Sequence, residues 1–383
     1  MQQRRRLLVA GGVAAGAVFV WRHEDRKIRG SSAYWSLASS ASRALKAIDA
    51  ETAHNVALGA LRLGFGPIAP SPASALRSEV WGVSFASPVG VAAGFDKRGV
   101  ATRALGELGF GFVEVGGVTL EPHPGNPRPR IFRAGEAIVN RVGLPSEGAE
   151  VVAKRLEATN PRTCVVGVNV AKRDAVSEYA SVARRFSATA DFLVVNASCP
   201  NVAGGLVDVS ALPEILGSVR REIGDKPLLA KVSPDLGLRA RRAIADALLT
   251  AKVDGIVVAN TTTRRPGDDD AEDGPPKLDG DPIPDCPRGG LSGPPLTAAT
   301  RVLVSDLYDR TRLPIVGVGG VRTPEDAYAL IRAGAALVQV YTALAAEGPA
   351  LATHLNTGLL RLAKKDGFRT VAEAVGADHR RDQ

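Results

Sequence analysis

The sequence predicts an α/β protein, a (β/α)8 TIM barrel preceded by an N-terminal anchor helix and an amphipathic helical hairpin. Two observations carry the barrel. From Ser87 onward, eight short β-rich apolar runs follow one another, at 88–93, 111–119, 164–170, 192–198, 228–233, 255–262, 314–320 and 337–344, each ending in polar or glycine residues. Helical stretches such as 212–223, 239–251, 324–333 and 350–365 lie between or after them. Continuous apolar strands alternating with helices mark a parallel sheet covered on both faces. Eight such units close into a barrel rather than stay open. No G-x-G-x-x-G opens a first helix, so a doubly wound dinucleotide sheet is the weaker reading.

The elements before the barrel follow from charge and periodicity. Residues 1–30 hold seven Lys/Arg against two acids, a net +5 of the chain's +8. Arg4-Arg5-Arg6 precede an apolar run over 7–21, and charged Arg22-His23-Glu24-Asp25-Arg26 follow it. That run is short of the ~20 residues of a bilayer span, and no small-residue cleavage site follows it. The segment reads as a targeting address with a short membrane anchor. Residues 31–75 read as two helices. Tyr34, Leu37, Ala38, Ala41, Leu45 and Ile48 form one 3.6-residue stripe, and Asp49 is placed to cap a second helix with Ala53, Val56, Ala57, Ala60 and Leu61 on one face. Beside an anchor, such a hairpin suits the entrance for a lipid-soluble substrate. Residues 76–383 form the barrel. Its one long interruption, 264–288, is rich in Asp, Pro and Gly and reads as a solvated, mobile loop.

Composition narrows the function. With 45% hydrophobic and 23% charged residues, the chain is globular. Three cysteines do not make a disulfide scaffold and fit a reducing compartment. Outside residues 1–30 the net charge is only +3, so the barrel has no basic excess to suggest nucleic acid as a partner.

Chemistry in a barrel sits at the carboxyl ends of its strands. Those ends carry Gly94-Phe95-Asp96-Lys97, Gly116-Gly117-Val118-Thr119, Asn169, Asn196 to Asn201, Lys231, Asn260-Thr261-Thr262, Gly319-Gly320 and Tyr341-Thr342, with Asn140 in the long loop after the second strand. The set has no acid pair for glycoside hydrolysis. None of the five histidines lies at a strand end, so no metal is expected. Many amides suit a planar ring with both donors and acceptors, a pyrimidine or an isoalloxazine. A strand-end lysine can neutralise charge on a reduced flavin, and glycine pairs after strands seven and eight are where barrels hold phosphate. The residues therefore point to a flavin-mononucleotide barrel acting on a polar heterocycle.

Together, Ala93-Gly94-Phe95-Asp96-Lys97, Gly125-Asn126-Pro127-Arg128-Pro129-Arg130, Asn196 to Asn201, Gly290-Leu291-Ser292-Gly293 and Gly317-Val318-Gly319-Gly320 resemble the dihydroorotate dehydrogenases. The likeness runs from about Tyr34 to Arg381. Ile48 to His54 and the ending Gly376 to Arg381 are similar to the membrane-bound, quinone-reducing class of the mitochondrial inner membrane. That resemblance implies FMN as cofactor, dihydroorotate as substrate, orotate as product and ubiquinone as acceptor, in pyrimidine biosynthesis. It implies Lys97, Asn140, Arg141, Val142, Gly143, Leu144, Asn196, Asn201, Asn260 and Thr261 around the substrate. It implies Ala93, Gly117, Asn169, Asn196, Lys231, Ala259, Ser292, Gly293, Gly319, Gly320, Tyr341 and Thr342 around FMN. It implies Cys199 as the base for the C5 proton, and His54, Arg133 and Tyr341 along the quinone path. Two places depart from the quinone class and match the soluble one: Cys199 stands for a serine, and Gly143-Leu144-Pro145 for Gly-Phe-Asn. The N-terminal helix also lacks the glutamine expected near Leu45. A soluble acceptor, fumarate or NAD, is the alternative for the same half-reaction, and a non-catalytic barrel is the alternative from another class.

Overall fold

The computed structural model describes residues 26–159, 162–198, 208–268, 273–283 and 287–380. Its thirteen strands are β1 (Ser78–Val80), β2 (Val83–Phe85), β3 (Val89–Val91), β4 (Phe112–Val118), β5 (Ile131–Ala134), β6 (Ala137–Asn140), β7 (Val165–Val170), β8 (Phe192–Asn196), β9 (Leu228–Val232), β10 (Gly255–Val258), β11 (Gly290–Ser292), β12 (Ile315–Val318) and β13 (Ala335–Val340). Eight of them close a parallel barrel in the order β3, β4, β7, β8, β9, β10, β12, β13, with β13 returning to β3 through the pairing of Val338 with Val89. The eight expected runs are these strands, and the fold is the expected (β/α)8 barrel.

Burial explains both layers. Inside the barrel, Phe85, Phe112, Phe192, Leu229, Val257, Val316 and Leu337 form an apolar plug. The rings of Phe112 and Phe192 need space that only glycine leaves: a Cβ on Gly90 would lie 2.4 Å from Phe112, and one on Gly167 2.1 Å from Phe192. The hairpin β1–β2 closes the bottom, where Trp81 Nε1 donates to Asp254 O at 2.7 Å. Outside, the helices bury one stripe each against the strands. The helix Leu212–Ile223 buries Leu212, Ile215, Leu216, Val219 and Ile223, has Pro213 in its first turn, and stops at Gly224. The helix Pro324–Arg332 starts at a capping box of Thr323 and Asp326.

Among the described residues, three α-helices precede the barrel: α1 (Arg26–Arg29), α2 (Ser32–Ala44) and α3 (Ala50–Arg62). Ser31 caps α2 by accepting from Tyr34 N, and Asp49 caps α3 by accepting from Thr52 N at 2.9 Å. Arg29 is buried and pairs with Glu107 at 2.6 Å, pinning α1 to the barrel. Leu37 and Leu63 are 68% and 64% exposed. No helix of the described residues is long and apolar enough to cross a membrane, and the basic and apolar segment 1–25 lies outside those residues.

The described parts of 264–288 differ from the solvated loop expected there. Leu278 is 5% exposed and packs with Leu296 and Ala299. Asp279 N donates to Pro295 O at 2.9 Å, Ala298 N donates to Asp279 Oδ2 at 2.8 Å, and Arg264 donates to Pro276 O. Leu278, Ile283 packed against Ala137, Val139 and Leu291, and a handful of hydrogen bonds dock the segment on the barrel rim. Composition, averaged over a polar stretch, conceals such an anchor.

Candidate active site

The carboxyl ends of the barrel strands open into a polar cavity of about 280 Å3. Its floor begins at the loop after β3. Gly94 takes a positive φ of 95°, and Asp96, fully buried, accepts from Val100 N and Ala101 N at 3.0 and 2.7 Å. Burial pushes the Asp96 carboxyl up despite those bonds. The turn directs Lys97 into the cavity, where its Nζ donates to Gly94 O at 2.6 Å. Removal from water, reinforced by the charge of Arg130, lowers Lys97 to about 8.

Asn169, Asn196 and Asn260 hang from the ends of β7, β8 and β10 and form a hydrogen-bonded row. Asn196 Nδ2 donates to Asn169 Oδ1 at 3.2 Å, and Asn260 Nδ2 donates to Asn196 Oδ1 at 3.3 Å. Lys231, Ala259 and Thr261 complete that side. A small antiparallel sheet, β5–β6–β11, roofs the cavity. It carries Asn140 on β6, whose Nδ2 donates to Gly290 O at 3.1 Å, and Ser292 on β11, whose Oγ lies 2.8 Å from Thr342 Oγ1. The opposite end is glycine. Gly293, Gly319 and Gly320 take φ values of 108°, 143° and 75°, and Cβ atoms on Gly319 and Gly320 would lie 2.3 Å from Thr300 and Thr297 hydroxyls. These positions offer a ligand their backbone only.

Of the residues named from the sequence, Ala93, Lys97, Gly117, Asn140, Val142, Gly143, Leu144, Asn169, Asn196, Lys231, Ala259, Asn260, Thr261, Ser292, Gly293, Gly319, Gly320, Tyr341 and Thr342 all line this one cavity. Arg141 does not. It turns outward, its guanidinium 5.2 Å from the Phe132 ring centroid and donating to Pro129 O. Cys199 and Asn201 lie outside the described residues. Sequence reasoning missed Lys46, Glu136, Ile138 and Gln339, which also line the cavity. A signal for one of them existed: Gly135-Glu136, between the short β-rich runs 131–134 and 137–140, is a two-residue hairpin loop.

A second, largely apolar cavity of about 770 Å3 lies between α2, α3 and the barrel. Tyr34, Leu37, Ala38, Ala41 and Leu45 of the first predicted stripe and Ala53, Ala57, Ala60 and Leu61 of the second line it, whereas Ile48 and Val56 do not and are 41% and 49% exposed. His54 and Arg133 line it as well. His54 packs edge-on against Phe95 at 4.9 Å, and Phe95 against Tyr341 at 5.7 Å. Tyr341, Thr342 and Ile138 border both cavities. Burial and the charge of Lys97 lower His54 to about 4, so its imidazole is neutral at pH 7. Burial raises Tyr341 to about 12, so its hydroxyl keeps its proton. Arg133 donates to Ile48 O at 2.7 Å and ties the turn between α2 and α3 to β5.

A dihydroorotate dehydrogenase family model matches residues 75–362. The chain belongs to the dihydroorotate dehydrogenase family. Membership implies a flavin cofactor, which the cavity's amide row, Lys231 and glycine end fit. Similar relatives are a dihydroorotate dehydrogenase (quinone) of Thermobifida fusca, 42% identical over 87% of this chain and 94% of its own, and a mitochondrial one of Arabidopsis thaliana, 40% identical over 87% and 80%. The crystal structure of DHODH in complex with ferulenol from Eimeria tenella superposes with a TM-score of 0.78 at 35% identity, covering 86% of this chain and 96% of that one. Identity to a bacterial relative is thus as high as to a plant mitochondrial one. Kinship alone fixes no compartment.

Proposed function

We propose that this chain oxidises (S)-dihydroorotate to orotate with FMN and passes the electrons to ubiquinone, a step of pyrimidine biosynthesis. The observation that carries this reading is the pair of cavities, one polar and one apolar, that meet at Tyr341. When bound, FMN supplies a two-electron acceptor for the substrate hydride and returns the electrons singly or in pairs. Everything else falls to the chain. Lys97 and the amides of Asn140, Asn196, Asn201 and Asn260, with Thr261 and the backbone of 141–144, hold the ring and carboxylate of the substrate. Cys199 takes the C5 proton as its thiolate. Asn169, Lys231, Ser292, Gly293, Gly319, Gly320, Thr342 and the residues beside them hold the cofactor, with the glycines at its phosphate. The apolar cavity admits the quinone along His54, Arg133 and Tyr341.

Residues 31–75 serve as quinone entrance and 76–383 as the FMN barrel. Residues 1–30 are the membrane anchor, of the inner mitochondrial membrane in a eukaryotic cell. The relatives' names, all quinone enzymes, favour ubiquinone over fumarate or NAD. The test is anaerobic. The purified chain should carry a flavin spectrum that bleaches on adding dihydroorotate and returns on adding a short-chain ubiquinone, but not fumarate or NAD. A folded chain that cannot be loaded with FMN would sink the reading.

A further inference from the structure

Beneath the cavity floor lies a carboxylate that the proposed reaction does not use. Glu114, on β4, is fully buried. Its Oε1 accepts from Asn169 Nδ2 at 2.7 Å and its Oε2 from Gln339 Nε2 at 2.6 Å. Each Glu114 oxygen accepts from an amide NH2, the arrangement of a carboxylate, which only accepts. Both amides must therefore turn their NH2 groups down to Glu114 and their oxygens up toward the cavity they line. The consequence propagates. Asn169 Oδ1 accepts from Asn196 Nδ2, and Asn196 Oδ1 in turn accepts from Asn260 Nδ2. Gln339 Oε1, in a side chain only 1% exposed, has no hydrogen-bond partner in the protein, so a bare acceptor is left in the floor. No Lys, Arg or His of the described residues lies within ion-pair distance of Glu114. Its negative charge stands beneath the floor, held by two neutral amides.

We infer that Glu114 is a positioning residue that fixes the polarity of the amide row and, through its charge, lowers the reduction potential of the bound flavin. This rests on the flavin reading of the cavity. In Glu114→Gln one amide meets another: the new side chain offers one acceptor and one NH2, so one of the two floor amides loses its partner and the row is free to reverse. The charge goes at the same time. Anionic reduced flavin is then opposed by one buried carboxylate fewer, and the reduced form gains.

The experiment compares full-length wild type, Glu114→Gln and Glu114→Asp, each loaded with FMN. Midpoint potential is read against a reference dye, and the dihydroorotate concentration for half-maximal rate is read from anaerobic flavin reduction. In Glu114→Gln the ratio of reduced to oxidised flavin at fixed dye potential should rise at least tenfold, an upward shift of about 30 mV for a two-electron couple. Half-maximal concentration should rise at least threefold. Glu114→Asp keeps the charge but is too short to hold both amides. It should leave the potential at the wild-type value while raising the half-maximal concentration by the same factor. Wild-type potential in Glu114→Gln, or an equal shift in Glu114→Asp, overturns the role of the charge. If Glu114→Gln does not fold, Glu114→Asp decides alone, and a wild-type half-maximal concentration there overturns the positioning role. Failure of the wild type itself to bind FMN is a separate outcome and strikes the flavin reading instead.

Discussion

Removing the Glu51 carboxylate should loosen the join between the helical hairpin and the substrate side of the barrel. Glu51, in the first turn of α3, accepts from Arg130 Nε at 3.1 and 3.2 Å and from Arg130 Nη2 at 2.8 Å, with Arg128 at 3.0 Å. The side chains of Arg130 and Glu51 are 9% and 11% exposed, that of Arg128 65%. Breaking a buried pair from one side costs ~3–5 kcal/mol. Arg130 keeps carbonyl partners at Pro124 O and Asn126 O, 2.6 and 3.0 Å away, so the lower end, ~3 kcal/mol, applies to Glu51→Ala. Arg128→Ala should cost under about 1 kcal/mol, as exposed pairs do. With an unfolding entropy of roughly 2.1 cal/mol/K per residue, the first change lowers Tm by about 4 °C.

The pH dependence has a definite sign. Burial opposes ionisation of Glu51, but the hydrogen bonds and charge of Arg130, with the charge of Arg128, outweigh it and hold the carboxyl below its ordinary range. A depressed carboxyl contributes stability that is present above its unfolded pKa, ~4.3, and is lost as pH falls through the folded value. The stability gap between wild type and Glu51→Gln should therefore close below about pH 4. The link also reaches the site. Asn126 holds the loop after β6 by donating to Arg141 O and Val142 O at 2.8 and 2.9 Å, so a freed Arg130 should raise the KM for dihydroorotate. Thermal melts of the FMN-loaded protein from pH 3 to 7 decide it. A Glu51→Ala variant melting within 1 °C of wild type at pH 7 refutes the reasoning.

Lys97, at about 8 in the free protein, should lose its charge as pH rises, so kcat/KM for flavin reduction falls above pH 8. Lys97→Met should cost about 10–150-fold at pH 7, the worth of a charge-assisted bond, and a profile flat from pH 7 to 10 would exclude the assignment. His54→Ala should slow quinone reduction while leaving anaerobic flavin reduction within about twofold, since His54 lines only the apolar cavity; equal quinone rates would remove it from the quinone path. Cys199→Ala should slow flavin reduction by ~10²–10⁴-fold, with Cys199→Ser retaining more, and a rate equal to wild type would place the base elsewhere. Leu278→Ala should destabilise by ~2 kcal/mol and hasten proteolysis within 264–288, because Leu278 is one of that segment's anchors; unchanged cleavage would deny the anchor.

The barrel was legible because each of its strands is buried on both faces and so reads as an unbroken apolar run bounded by Gly and polar residues. Strand ends were legible for the same reason: polar residues at or near the end of such a run mark where the barrel opens, as Asn169, Asn196, Lys231 and Asn260 do. The roof was not. β11 is three residues long and pairs Gly290 with Asn140, 150 positions earlier, and no local period records a pairing of that reach. Glu114 and Gln339 escaped differently. Each is a single polar residue within an apolar strand, and only the neighbouring β7, with Asn169, and the reach from β13 past β3 to β4 give them meaning.

The separation of the two cavities follows from the same geometry. Along β6, Ile138 and Asn140 are two residues apart and so share a face. Ile138 borders both cavities, whereas Asn140 lines the polar one alone. Over that step the wall changes from apolar to hydrogen-bonding. Across the barrel, the edge-on rings of His54, Phe95 and Tyr341 close the gap between α3 and β13, with His54 neutral and Tyr341 protonated at pH 7. The boundary is uncharged at Ile138, Tyr341 and Thr342 and carries charge only at its edge, where Lys46 and Glu136 border both cavities. In the proposed function, the substrate and the quinone would approach one cofactor position from these two cavities, which share Tyr341, Thr342 and Ile138.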